Sequence, residues 1–93
     1  MSNVEQRLNE MGITLPDAPA PAANYVPFVK TGNLVFISGQ VPFVDGKLTM
    51  TGRLGDNATV EDGYAQARIC AINLIANLKV ACDGDLDRVT RVV

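Results

Sequence analysis

In the stretch Phe36-Ile37-Ser38-Gly39-Gln40-Val41-Pro42-Phe43 an apolar run passes directly into a polar Ser-Gly-Gln step. Core packing does not call for that step. What it offers is hydrogen-bond donors: the Ser38 hydroxyl and the backbone around Gly39, where the missing side chain lets a ligand or another backbone come close. A binding site is one reading, and a strand end with turn chemistry is the other. The 93 residues contain no histidine, so a Ser-His-Asp or Cys-His nucleophile system is excluded, and no cluster has the spacing of zinc ligands. Any chemistry must rest on hydroxyls, carboxylates, arginine and backbone groups.

A carboxylate ligand in such a pocket wants a cation. Arg68 falls near the edge of an apolar helical arc, where arginine usually packs its stem and sends its head to solvent. Arg53 lies in a loop between Gly52 and Gly55 and could swing into a cleft, but its spacing alone proves nothing. Cys70 and Cys82 stand twelve positions apart on one predicted helix. At about 1.5 Å per residue they are roughly 18 Å from each other and cannot pair within the chain. They read as small helix side chains.

Strands must position the Ser-Gly-Gln step. Leu34 to Ile37 is apolar on both alternating faces, the pattern of a strand covered on both sides. Val26 to Lys30 and Leu34 to Val41 flank Thr31-Gly32-Asn33 and read as a hairpin, with Pro27 marking an edge or a strand start. Phe43 to Leu48 repeats the theme around Asp45-Gly46. Thr59, with Asp62 three residues on, caps a long helix running to Cys82. On that helix Asp62, Gln66, Asn73 and Asn77 form a narrow polar stripe, and the opposite side, Tyr64, Ala67, Ala71, Leu74, Ile75, Leu78 and Cys82, is expected to cover the sheet. Ile69, Ile72, Ala76 and Val80 widen the apolar arc, as a flank buried against another subunit would require; a plain buried helix explains it as well.

The chain opens with a short amphipathic helix in residues 1–15, with a Ser2/Glu5 capping box, Val4, Leu8 and Met11 on one face, and Gly12 as its stop. Pro16, Pro19 and Pro21 make residues 16–23 a stiff connector. Val89-Thr90-Arg91-Val92-Val93 reads as a further strand, and a chain ending inside it suggests a longer domain whose remaining strands and second helix are missing, leaving an open sheet edge.

Composition is that of one globular domain, 47% apolar and 19% charged with net charge −2. The basic residues are scattered among acids, which argues against nucleic acid as a partner. No apolar run approaches a membrane span and the N-terminus lacks signal-peptide features, so a cytoplasmic location is expected.

Tyr25 together with Gly32-Asn33-Leu34-Val35-Phe36-Ile37-Ser38-Gly39-Gln40-Val41-Pro42 resembles the Rid family of reactive intermediate deaminases, also called YjgF-like and formerly endoribonuclease L-PSP. The long helix followed by Gly84-Asp85-Leu86-Asp87-Arg88-Val89 agrees in order, and the likeness covers roughly residues 23 to 93. It implies an α+β, chorismate-mutase-like sheet with helices on one face, of which residues 24–93 supply a β-β-β-α-β portion. It further implies a homotrimer with clefts shared between subunits and a 2-oxo acid, imino acid or amino acid as ligand. The implied reaction is hydrolysis of an enamine or imine to a 2-oxo acid and ammonia, with no cofactor and no metal, because a positioned water and hydrogen bonds to developing charge suffice. On this resemblance Ser38 and the Gly39 backbone are the substrate-binding donors. Tyr25 is a pocket wall and proton partner, or else an edge-strand aromatic. The chain reads Ala23-Asn24-Tyr25-Val26-Pro27 where the best-known deaminases read Gly-Pro-Tyr-Ser-Gln, keeping the tyrosine and losing the polar pair. The family's substrate-clamping arginine and acidic residue belong to a C-terminal half outside these residues, so catalytic residues are left unassigned and a non-catalytic metabolite-binding or regulatory trimer is the alternative.

Overall fold

Two antiparallel hairpins and a long helix make up the α+β fold in the computed structural model, which describes residues 2–18 and 23–93. The elements in order are α1 (Asn3–Glu10), β1 (Phe28–Thr31), β2 (Leu34–Ile37), β3 (Phe43–Val44), β4 (Lys47–Leu48), α2 (Val60–Ala81) and a 3-10 turn, Leu86–Arg88. The connector predicted at 16–23 lies partly outside the described residues; Pro16 to Ala18 carry no regular structure.

β1 and β2 pair in the register Phe28↔Ile37, Val29↔Phe36, Lys30↔Val35 and Thr31↔Leu34 around a two-residue loop. The loop needs Gly32, whose φ is 56°. The β3–β4 turn has both central residues left-handed, Asp45 at 52° and Gly46 at 79°, as the Asp-Gly pair of a type I′ turn requires. The second hairpin spans Phe43 to Leu48 as predicted, whereas the first is shorter. The first ladder begins at Phe28 because Pro27 has no N–H to give, although its carbonyl still accepts from Ser38 N at 3.0 Å. β2 ends at Ile37, after which Gly39 and Gln40 leave the ladder.

α2 carries the predicted capping box: Asp62 N donates to Thr59 Oγ1 at 3.1 Å and Thr59 N donates to the Asp62 carboxylate at 2.9 Å. Its far end is a Schellman motif with Asp83 left-handed (φ 54°), Asp83 N on Val80 O at 3.1 Å and Gly84 N on Lys79 O at 2.9 Å.

The orientation of α2 is the reverse of the expected one. Asn73, Ala76, Asn77 and Ala81 are buried, whereas Tyr64 is 75% exposed and Ala67, Ala71 and Leu74 also lie at the surface. The stripe containing Asn73 and Asn77 therefore faces inward. Both sides of this helix are rich in apolar residues, so periodicity gives no strong preference, and side-chain hydrogen bonding decides. Asn73 finds backbone carbonyls on the inner side, and the small Ala76 and Ala81 allow close approach there.

α1 is capped by Ser2, whose hydroxyl accepts from Glu5 N at 3.1 Å. The box is not reciprocal, because the Glu5 carboxylate pairs instead with Lys79 at 3.4 Å. The first two helical amides, of Asn3 and Val4, donate to the Asp87 carboxylate at 2.8 and 3.0 Å. A carboxylate at a helix N-terminus satisfies orphan donors and complements the dipole, so the 3-10 turn fastens the arm. Gly12 (φ 74°) ends α1 as predicted, and of its apolar face only Leu8 is buried.

The strand predicted over 89–93 does not form. Val89 is extended, but residues 89–93 find no ladder partner among the described residues, and Val92 and Val93 are exposed. A β-branched run supplies propensity, and a strand also needs a neighbour. The buried apolar side chains are mostly small: Leu8, Ala58, Ala76, Ala81, Cys82 and Leu86. Among the described residues no helix is long and apolar enough to cross a membrane.

Candidate functional site

Ser38 continues the first hairpin by one step beyond its ladder. Its amide donates to Pro27 O at 3.0 Å and its hydroxyl donates to Val26 O across the hairpin. Both donors are thus committed to the fold. Gln40 turns back on the same step, its Nε2 donating to Ser38 O at 3.1 Å. The donors left are on the backbone. Among the described residues the amides of Gly39 and Gln40 have no hydrogen-bond partner.

Neither torsion nor packing demands the glycine at 39. Its φ is not in the left-handed region, and a Cβ built there would meet nothing within 4 Å. The absent side chain leaves open space beside two unpaired N–H groups, an arrangement that can receive a carboxylate or carbonyl oxygen. The Ser38 hydroxyl's bond to Val26 O puts Tyr25, the residue before Val26, at the same end of the hairpin as Gly39. Tyr25 is 40% exposed and its own amide donates to Ala23 O at 2.9 Å. Tyr25, Ser38 and Gly39, singled out separately in sequence, therefore share one end of one hairpin.

Asn73 is the residue that sequence reading placed on the wrong side. It is 3% exposed, and its Nδ2 donates to Val41 O at 3.2 Å and to Phe43 O at 3.1 Å. The signal was present as two asparagines one turn apart within an apolar helix, a placement that is costly unless the carboxamides are bonded. Asn77, 1% exposed, donates to Asn73 O at 3.2 Å, and no buried side-chain nitrogen or oxygen among the described residues lacks a partner.

The two arginines weighed in sequence are both exposed. Arg53 contributes its backbone amide, which donates to Asn57 Oδ1 at 2.7 Å and closes the loop before α2. Cys70 is half-buried and Cys82 buried, both as free thiols. Among the described residues no group of histidine, cysteine, aspartate or glutamate side chains could hold a metal ion.

The family described as "YjgF/chorismate_mutase-like, putative endoribonuclease" matches residues 5–93. Protein TCP17 of Trypanosoma cruzi is 48% identical over 90 residues, covering 97% of this chain and 56% of that protein. Protein HMF1 of Saccharomyces cerevisiae is 37% identical over 75 residues, covering 81% of this chain and 50% of its own. Among solved structures, the protein Atu1372 of Agrobacterium tumefaciens, whose function is unknown, superposes with a TM-score of 0.84 at 44% identity, over 97% of this chain and 54% of that one. A structure from Shewanella oneidensis named as an endoribonuclease candidate gives 0.87 at 42% identity, over 95% and 58%. The chain spans about half the length of the curated relatives it matches.

Proposed function

This chain belongs to the YjgF/chorismate-mutase-like family, and we propose that it contributes the Gly39 side of a small-molecule site for 2-oxo acids, imino acids or amino acids. The observation that carries the reading is the Gly39–Gln40 step, with two amides that have no partner among the described residues and open space where a side chain would stand. The resemblance to reactive intermediate deaminases supplies the reaction class. Water adds to the C=N carbon of an imine, the carbon–nitrogen bond breaks, and ammonia leaves a 2-oxo acid. Amides aimed at developing oxygen charge serve that addition without a cofactor. In the same reading the site is shared in a homotrimer, which would cover exposed apolar residues such as Phe36 and Leu34, 57% and 59% exposed.

Donors alone bind without turnover. Arg53 and Arg68 are exposed, and neither a cation nor an acid is assigned to the Gly39 step to hold a carboxylate or a water. The expected result is that this chain binds pyruvate or 2-oxobutanoate in isothermal titration, yet releases no ammonia above background from 2-aminoacrylate or 2-iminobutanoate in a coupled assay. Absence of binding would sink the site; turnover would show that the chain holds the missing groups.

A second reading, ribonuclease, is favoured by the description of the family and of the Shewanella structure. Its electrostatics are poor, with net charge −2 and no basic stripe interleaved with aromatics. Fluorescence anisotropy with single-stranded RNA at physiological salt is expected to show no saturable binding. Submicromolar affinity that weakens steeply with salt would favour the ribonuclease instead.

A further inference from the structure

The Gly39–Gln40 step is suspended between two anchors. On one side Ser38 is bonded to Val26 and Pro27. On the other the chain makes a three-residue turn, with Phe43 N on Val41 O at 2.8 Å. Pro42 sits at its centre, and the fixed φ of proline suits the central position of an inverse γ-turn. Strand pairing reaches this anchor only at Phe43, opposite Leu48, and holds neither Val41 nor Pro42. The helix holds the turn: Asn73 reaches from α2 and donates to the carbonyls of Val41 and Phe43, its two ends, at 3.2 and 3.1 Å.

We infer that Asn73 is a positioning residue for the Gly39 site, fixing the Val41-Pro42-Phe43 turn so that the amides of Gly39 and Gln40 keep one direction. The inference rests on the proposed role of Gly39 in ligand binding. A carboxamide is the group this task requires. Its NH2 carries two hydrogens for two carbonyls, where a hydroxyl has one and a carboxylate none. Leucine would fill the same buried place but leave both acceptors without these donors, whereas an unbonded carboxamide there would carry a desolvation cost. Asn77 provides a matched comparison one turn along α2. It is equally buried, but its Nδ2 donates to the backbone of its own helix, at Asn73 O, and not to the turn.

The test compares Asn73→Leu and Asn73→Ser with Asn77→Leu by thermal melting, amide NMR spectra and pyruvate titration. Both Asn73 variants are expected to move the Gly39, Gln40 and Phe43 resonances. Asn73→Leu should weaken pyruvate binding about tenfold, the scale of lost preorganisation and two neutral hydrogen bonds. Asn77→Leu should lower the melting temperature comparably while leaving the dissociation constant within about twofold. Should Asn73→Leu fail to fold, Asn73→Ser, which retains one donor, is read the same way with a smaller effect. Unmoved Gly39 and Gln40 resonances in the Asn73 variants, or an equal binding loss in Asn77→Leu, would overturn the inference. If the unmodified protein binds no 2-oxo acid, the site reading fails, and the resonances alone decide the role of Asn73.

Discussion

Gly39→Val is expected to remove 2-oxo acid binding, by at least about a hundredfold or some 2.7 kcal/mol, while shifting the melting temperature by no more than a few degrees. The two halves of this expectation have separate causes. The Cβ of a residue at 39 meets nothing within 4 Å, so valine enters open space. It faces no torsional penalty either, because Gly39 is not in the left-handed region where L side chains are strained. Surface substitutions of that kind stay within about 0.5 kcal/mol, and in an extended segment loss of glycine even restrains the unfolded chain. Binding behaves differently, because an isopropyl group would fill the space through which a ligand oxygen reaches the Gly39 and Gln40 amides. Titration of both proteins with pyruvate, alongside melts followed by circular dichroism, separates a glycine kept for the fold from one kept for a ligand. Normal binding by the valine variant would move the site elsewhere; a large fall in melting temperature would return Gly39 to the fold.

The hairpin end was legible in sequence because its signals are local. Proline before a strand, Gly-Asn and Asp-Gly between apolar runs, and a Ser-Gly-Gln step after an apolar run each act within a few residues, and Tyr25, Ser38 and Gly39 lie at one end of the same hairpin. The capping box at Thr59 and the glycine stop at residue 12 are local in the same sense. What could not be read was which side of α2 faces inward. The rule that polar residues face solvent fails when a buried carboxamide has two carbonyls to serve, and those carbonyls, on Val41 and Phe43, lie some thirty positions away. For the same reason sequence does not show that the Ser38 hydroxyl, which offers a ligand donor there, donates to Val26 twelve positions back. Likewise, β-branched character at 89–93 is a local signal, and ladder formation depends on a distant partner that these residues do not find among those described.

Leu86→Ala should show how much of this chain's stability rests on the 3-10 turn. Leu86, in the 3-10 turn, is 2% exposed and is the largest fully buried apolar side chain among the described residues; the other buried apolar residues described are alanines, Cys82 and Leu8. Truncating a buried leucine costs about 2–5 kcal/mol, the value rising with the cavity left behind. At about 3 kcal/mol, a domain of this size loses roughly 15 °C of melting temperature, a large share of the total stability of a small protein. The same turn holds α1, since Asp87 beside Leu86 accepts from the Asn3 and Val4 amides. Loosening the turn should therefore also raise hydrogen exchange at those amides before global unfolding. Val92→Ala, at a position 84% exposed, is the comparison and should leave melting unchanged within a degree or two. Below the transition the Leu86→Ala protein should still bind pyruvate normally, because the Gly39 step is anchored by Ser38 and Asn73 and not by the 3-10 turn. A melting shift under about 3 °C would mean that the Leu86 neighbourhood collapses to fill its cavity, and a parallel loss of binding would mean that the two ends of α2 are coupled.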